Sequence, residues 1–146
     1  MDGSSGVALL VDGLQNLGFK NVSYYQPSRF LEGYGIHEEA LKTISQRGDK
    51  IVITVDCCIT AVKEAKAAQE FGLELIITDH HLPQETLPQC LAVINPNRGN
   101  CLSQLTYLSG VGVGFYLLMG LKRTLKSSFD LKNLLDLFAI GTISDM

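Results

Sequence analysis

Apolar positions along the chain recur with two different periods. Over 4–17, Val7, Leu10, Val11, Leu14 and Leu17 repeat every three or four residues and stop at Gly18, which predicts a helix. Residues 21–25 read as a short strand, and 26–35, marked by Pro27, Gly33 and Gly35, as a loop. A helical pattern covers 36–46, with His37 near its start and Gly48 after its end. The period then changes. Lys50-Ile51-Val52-Ile53-Thr54-Val55 is rich in β-branched residues and stops at Asp56, so it predicts a strand. Ala61, Ala65, Ala68 and Phe71 return to helical spacing over 60–71, closed by Gly72, and the apolar run Leu73-Glu74-Leu75-Ile76-Ile77 predicts a second strand. A loop over 82–89 carries Pro83 and Pro88; 91–94 is a short apolar strand closed by Asn95-Pro96-Asn97; 101–108 is loop or turn. Two apolar helices are predicted over 109–125 and 131–140. Both are apolar on more than one side, so both are expected to be buried.

Strand, helix and strand over 50–77 form a unit whose default is a right-handed crossover between parallel strands, which makes the chain α/β. Parallel strands leave the sheet by the same edge, where ligand sites of open α/β sheets are built. Asp56 and the run Thr78-Asp79-His80-His81 are therefore expected to converge. Read alone, that run also fits a polar turn with two surface histidines, and Asp56 also fits a cap for the helix that follows. A converging set of carboxylates and imidazoles suits manganese, magnesium, iron or zinc, with manganese a natural partner for mixed nitrogen and oxygen donors.

Composition narrows the options. With 146 residues there is at most one domain, long enough for a real core. No run of about 18 apolar residues is present, so no membrane span is expected. The net charge of -3 argues against a broad basic surface that grips duplex DNA, though not against a narrow groove charged by bound metal and a few arginines. Met1-Asp2-Gly3-Ser4 carries no basic leader pattern. Cys57, Cys58, Cys90 and Cys101 form no CxxC pair; they read as reduced thiols of a cytoplasmic protein rather than as a zinc site. Asp2-Gly3-Ser4-Ser5-Gly6 looks like a strand-to-helix turn whose strand is missing, and 141–146 like an element barely begun. A piece of a longer polypeptide is therefore expected.

Four short motifs then fall in order. Asp2-Gly3 resembles the end of an Asp-x-Asp-Gly motif, Val55-Asp56 a second, Asp79-His80-His81 a third, and Gly141-Thr142-Ile143-Ser144-Asp145 a Gly-Thr-x-x-Asp fourth. Together they resemble the DHH phosphoesterase superfamily. Pro27 through Gly35 with its Arg29, Asn95-Pro96-Asn97, and Ser109-Gly110-Val111-Gly112-Val113-Gly114-Phe115-Tyr116-Leu117 resemble its RecJ-like branch of single-strand-specific exonucleases. The resemblance implies a three-layer sandwich with a mostly parallel sheet flanked by helices, its first strand missing. It also implies metal-dependent phosphodiester hydrolysis with manganese or magnesium, on single-stranded DNA from the 5′ end, in DNA repair and recombination. The family's second domain, DHHA1, is absent from the 146 residues. A small-nucleotide or oligoribonucleotide phosphodiesterase and a non-catalytic replication scaffold are the alternatives.

By the same resemblance Asp2, Asp56, His80 and Asp145 are ligands of one metal, with Asp56 bridging to a second. The first aspartate of Asp-x-Asp is not present, so one near-complete and one crippled site are expected, and weak or no activity. Asp79 is expected to orient a histidine, and His81 to contact phosphate or stabilise charge in the transition state; the alternative for His81 is a solvated loop residue. Arg29 is a candidate to fork onto phosphate, or an ordinary surface arginine; Arg98 is a weaker candidate. The amides of Gly110, Gly112 and Gly114 would either bind phosphate at a helix start or simply permit close packing. Cys58 stands where the family pattern has glycine.

Overall fold

The computed structural model describes residues 1–27 and 35–145. Among them, β1 (Ile51–Val55), β2 (Glu74–Thr78) and β3 (Ala92–Ile94) form one parallel sheet in the order β1-β2-β3. The helices are α1 (Asp2–Asn16), α2 (Glu38–Gln46), α3 (Val62–Glu70), α4 (Gly110–Leu125) and α5 (Leu135–Ser144), the last entered through a 3-10 turn at Leu131–Leu134.

Strand alternation sorts the core onto two faces. Val52, Leu75 and Ile77 pack with Leu41 and Ile44 of α2 and Ala65 and Ala68 of α3. Ile53 and Val55 point the other way, toward Leu9 and Leu10 of α1, Val111 and Leu118 of α4, and Leu131 and Leu134 of the 3-10 turn. The result is helices, sheet, helices: the expected three-layer sandwich. Each fully buried leucine contributes roughly 2 kcal/mol. α1 sits close because Gly6 and Gly13 carry no side chain; a Cβ on Gly13 would run into Leu118, and one on Gly6 would approach Val55 to 2.5 Å.

Two expectations are corrected. Residues 21–25 join no ladder. They and β1 both line a groove of about 840 Å³, so the segment lies near β1 without pairing with it. The second apolar helix is not buried. Only Gly141 of α5 is fully covered, while Leu135, Ile140 and Ile143 are exposed, although the helix packs on α1 and α4. Residues 141–144 complete α5 rather than begin a new element.

The register sets up the site. Val55 pairs with Thr78, and Thr78 with Ile94, so the three strands end level. The Asp56 N–H donates to the Thr78 carbonyl at 3.0 Å, the Thr78 hydroxyl to the Thr54 carbonyl at 2.6 Å, and the Asp79 N–H to the Ile94 carbonyl at 3.1 Å. Asp56 and Asp79 thus leave the sheet side by side.

Candidate metal centre

The chain turns sharply as it leaves β1. Asp56 has φ 60° and Cys58 φ 81°, both left-handed. An aspartate tolerates that region; a cysteine does so at a cost of order 1 kcal/mol. The turn aims the Asp56 carboxylate across the sheet edge at His80, whose Nε2 lies 3.1 Å from Oδ1 of Asp56. Room for this carboxylate is cleared by two glycines. A Cβ on Gly110 would overlap it, and one on Gly3 would stand 3.1 Å from its Oδ2.

Two further carboxylates converge from the helices. Asp2, at the first turn of α1, is 4 % exposed; its two oxygens accept the N–H groups of Gly110, at 2.6 Å, and Val111, at 2.8 Å, and so cap α4, whose own Ser109 makes no side-chain cap. Asp145 arrives at the end of α5. Nε2 of His80 is 3.9 Å from Oδ2 of Asp2 and 3.8 Å from Oδ1 of Asp145. One imidazole nitrogen therefore faces three acids. The hydrogen bond to Asp56 raises the His80 pKa, burial works against it, and the charges of Asp145, Asp56 and Asp2 add to the rise. Burial lifts the Asp2 carboxyl above its ordinary value, the Val111 and Gly110 amides pull it back, and the neighbouring charges of Asp56 and Asp145 push it further up.

The other half of the motif is built around Asp79, which is 1 % exposed. Its Oδ1 accepts from the His80 N–H at 2.8 Å, the His81 N–H at 3.1 Å and His81 Nδ1 at 2.6 Å; its Oδ2 accepts from the Ile59 N–H at 2.9 Å. A carboxylate acceptor at Nδ1 fixes the proton there and the ring with it. Asn95 and Asn97 tie down the same turn by donating to the carbonyls of His81 and His80. The His81 ring is half-exposed and lies 4.5 Å from that of His80, centroid to centroid.

A divalent cation fits these donors. An ion with ligands at roughly 2.1 Å keeps them within about 4.2 Å of one another, and the three carboxylate oxygens around His80 Nε2 lie inside that span of it. Two overlapping sets, Asp2-His80-Asp145 and Asp56-His80-His81, each bring their ligand atoms within 4.8 Å of one another. Mixed imidazole and carboxylate donors suit manganese among the common ions.

Comparison with known proteins gives the family of the chain. Residues 1–142 match the model of the DHH family, N-terminal domain. The chain belongs to the DHH family. It is 41% identical over 155 residues to the single-stranded-DNA-specific exonuclease RecJ of Salmonella typhimurium, aligning 99% of this chain with 27% of that protein. It is 44% identical over 145 residues to RecJ of Bacillus subtilis, 99% of the chain against 18% of the relative. The chain thus spans about a quarter of the length of the first of these relatives. Two solved structures share the fold. One is exonuclease RecJ bound to manganese, with TM-score 0.85 and 38% identity over 99% of this chain and 36% of that one. The other is RecJ in complex with Mn2+ from Thermus thermophilus, with TM-score 0.78 and 34% identity over 99% and 20%.

Within this DHH domain the structure gathers Asp2, Asp56, His80 and Asp145 at one rim, with Asp79 and His81 beside them. The Asp56 carboxylate reaches His80 across the sheet edge, and α3 follows Ala61, whose side chain offers no cap. Two expectations on phosphate contacts change. The Gly110 amide is already held by Asp2, and the buried Gly112 abuts Leu108 at the α4 packing face, so close approach rather than anion capture accounts for these glycines. The Arg98 guanidinium folds inward, Nη1 donating to the Val93 carbonyl at 2.6 Å. Arg29 lies outside the described residues. His37 supplies no cap hydrogen bond to α2 and is in neither candidate ligand group. Sequence reasoning overlooked Gly3 as a spacer for Asp56 and the Ile59 amide as a partner of Asp79, and it did not join His81 to the ligand group. Asn-Pro-Asn was a visible signal for the two amide clamps; the contact made by Gly3 had none.

Proposed function

We propose that this chain is the metal-binding catalytic part of a manganese-dependent exonuclease that hydrolyses phosphodiester bonds of single-stranded DNA, and that it serves DNA repair or recombination in a reducing, cytoplasmic setting. The observation that carries the reading is His80 Nε2 lying within 3.9 Å of three carboxylates, those of Asp2, Asp56 and Asp145. The manganese-bound RecJ neighbours support it. The four cysteines are free, and among the described residues no helix is long and apolar enough to cross a membrane.

Asp2, Asp56, His80 and Asp145 would hold the ion, and Asp56 would also serve a second cation. When bound, such a cation supplies Lewis-acid stabilisation of phosphodiester oxygens and a more acidic water. Asp79 holds the Nδ1 proton of His81 and turns that ring toward the open side of the site, where its Nε2 meets a phosphate oxygen or a departing one.

The test is calorimetric titration with Mn2+ together with release of nucleotides from a 5′-labelled single strand, by this chain and by any longer polypeptide containing it. Mn2+ binding with a preference for long single strands supports the reading. A preference for dinucleotides replaces it with a small-nucleotide phosphodiesterase, and absence of Mn2+ binding with a non-catalytic scaffold.

A further inference from the structure

Cys57 and Cys58 sit one and two residues beyond Asp56, and none of the roles above uses them. Neighbours along an extended strand point their side chains to opposite faces. Here the left-handed turn at Asp56 and Cys58 brings the two side chains to the same side, with Sγ atoms 3.2 Å apart. Both thiols are free. The other two cysteines are engaged elsewhere: Cys90 donates to the Ala92 carbonyl, and Cys101 pairs with the Ser103 hydroxyl. Cys58 is 8 % exposed, but Cys57 is half-buried and lines the 840 Å³ groove together with Thr54 and Asp56, so a small oxidant can reach it.

We propose that Cys57 and Cys58 are a reversible oxidative modification site, closing to a disulfide between adjacent residues under hydrogen peroxide and thereby loosening the metal centre. One sulfur of the pair attacks one peroxide oxygen. The O–O bond breaks, the thiol proton leaves with the departing hydroxide as water, and that cysteine becomes a sulfenic acid. The other sulfur then attacks it. The S–O bond breaks, and the second thiol proton leaves with that hydroxide as a second water. Two thiols and one peroxide give one disulfide and two waters.

The closed form is easily reopened. Adjacent Cα atoms are about 3.8 Å apart across a trans peptide, closer than the roughly 4.4–6.8 Å that disulfides prefer, so the ring is strained and reduces readily. Its formation must also move backbone that the centre depends on. Asp56 precedes the pair directly. The Cys57 carbonyl accepts from Thr54 Oγ1 at 3.3 Å, and the Ile59 N–H, one residue further on, is a partner of Asp79. Closing the ring therefore re-aims Asp56 and strips a hydrogen bond from the carboxylate that holds His81. This second step rests on the metal-centre reading above; the chemical step does not.

The experiment treats the chain with hydrogen peroxide, blocks remaining thiols by alkylation and reads peptide masses, while Mn2+ affinity is measured on the same samples. The expected result is a 57–58 peptide lighter by two hydrogens and unalkylated, restored by dithiothreitol, with Mn2+ affinity falling at least about tenfold and recovering on reduction. Cys58→Ser and Cys57→Ser each abolish that mass loss, whereas a Cys90→Ser, Cys101→Ser double variant retains it and guards against misfolding of the single variants. A 57–58 peptide that stays alkylated, carries added oxygen, or links to Cys90, Cys101 or a second chain overturns the proposal. A disulfide that leaves Mn2+ affinity unchanged overturns the coupling. A reduced protein that binds no Mn2+ overturns the proposed function, while the mass result still decides the modification site.

Discussion

His80 and Asp56, 24 residues apart in the chain, meet at 3.1 Å across the ends of two parallel strands. The contact exists because β1 and β2 end level, and because Asp56 takes a left-handed backbone that swings its carboxylate over the edge. Removing either group deletes a donor that no neighbour replaces. Asp56→Ala and His80→Ala are each expected to lower Mn2+ affinity by more than about 100-fold, a larger loss than outer partners of metal ligands cause. Calorimetry with Mn2+, alongside circular dichroism to confirm folding, checks this.

Asp79→Asn is expected to act in two ways. Four hydrogen bonds end on the buried carboxylate, and an amide offers an N–H₂ where acceptors are required. Stability should fall by about 2–3 kcal/mol, as for a buried mismatch. The freed His81 ring should reduce hydrolysis by about 10–100-fold beyond what unfolding explains. Urea denaturation gives the first number, and rates measured below the unfolding range give the second.

Two glycines of α4 should respond in opposite directions. Gly110→Ala places a methyl group on the Asp56 carboxylate, so Mn2+ binding should be lost although helix content is kept. Gly120 is exposed, and a Cβ added there would meet nothing within 4 Å, so Gly120→Ala should stabilise the protein by about 0.5–1 kcal/mol through helix propensity alone. Thermal melts and Mn2+ titrations of the pair separate crowding from propensity.

His80 holds its proton more tightly in the folded state than its ordinary value of 6.5 allows. The stability this contributes is full below pH 6.5 and is lost as pH rises through the raised folded value. Asp2, raised from 3.8, contributes with the same sign at lower pH. Melting temperature in chelator should therefore fall as pH rises above 6.5. Mn2+ must displace the same proton, so its affinity should climb over that interval, with proton release on binding. A pH series of melts with chelator and with Mn2+ should show the two trends diverging.

Much of the arrangement was legible from the residues. Period and punctuation located β1, α3 and β2, and parallel strands alone predicted that Asp56 and Asp79 would emerge together. Cys58 is informative in retrospect. The family pattern has glycine there, and φ 81° is the backbone reason. What stayed hidden was tertiary. Residues 21–25 have strand composition, but a strand exists only where a ladder forms, and these residues form none with β1. α5 looked buried because burial was inferred from apolar content, whereas exposure depends on what packs against each face. Gly110 was ambiguous between anion capture and packing until its amide was found on Asp2, 108 residues away.

The grip of Asp2 on the first amides of α4 has an electrostatic consequence. A helix of 16 residues carries roughly half a positive charge at its amino end. Aimed at Asp2, that end acts as a standing counter-ion that never exchanges with solvent. It offsets part of the mutual repulsion among Asp2, Asp56 and Asp145 whenever no ion is present, so the acids can wait in place rather than spring apart. The cradle is thereby kept ready by a dipole of the main chain, and an arriving cation meets ligands already gathered.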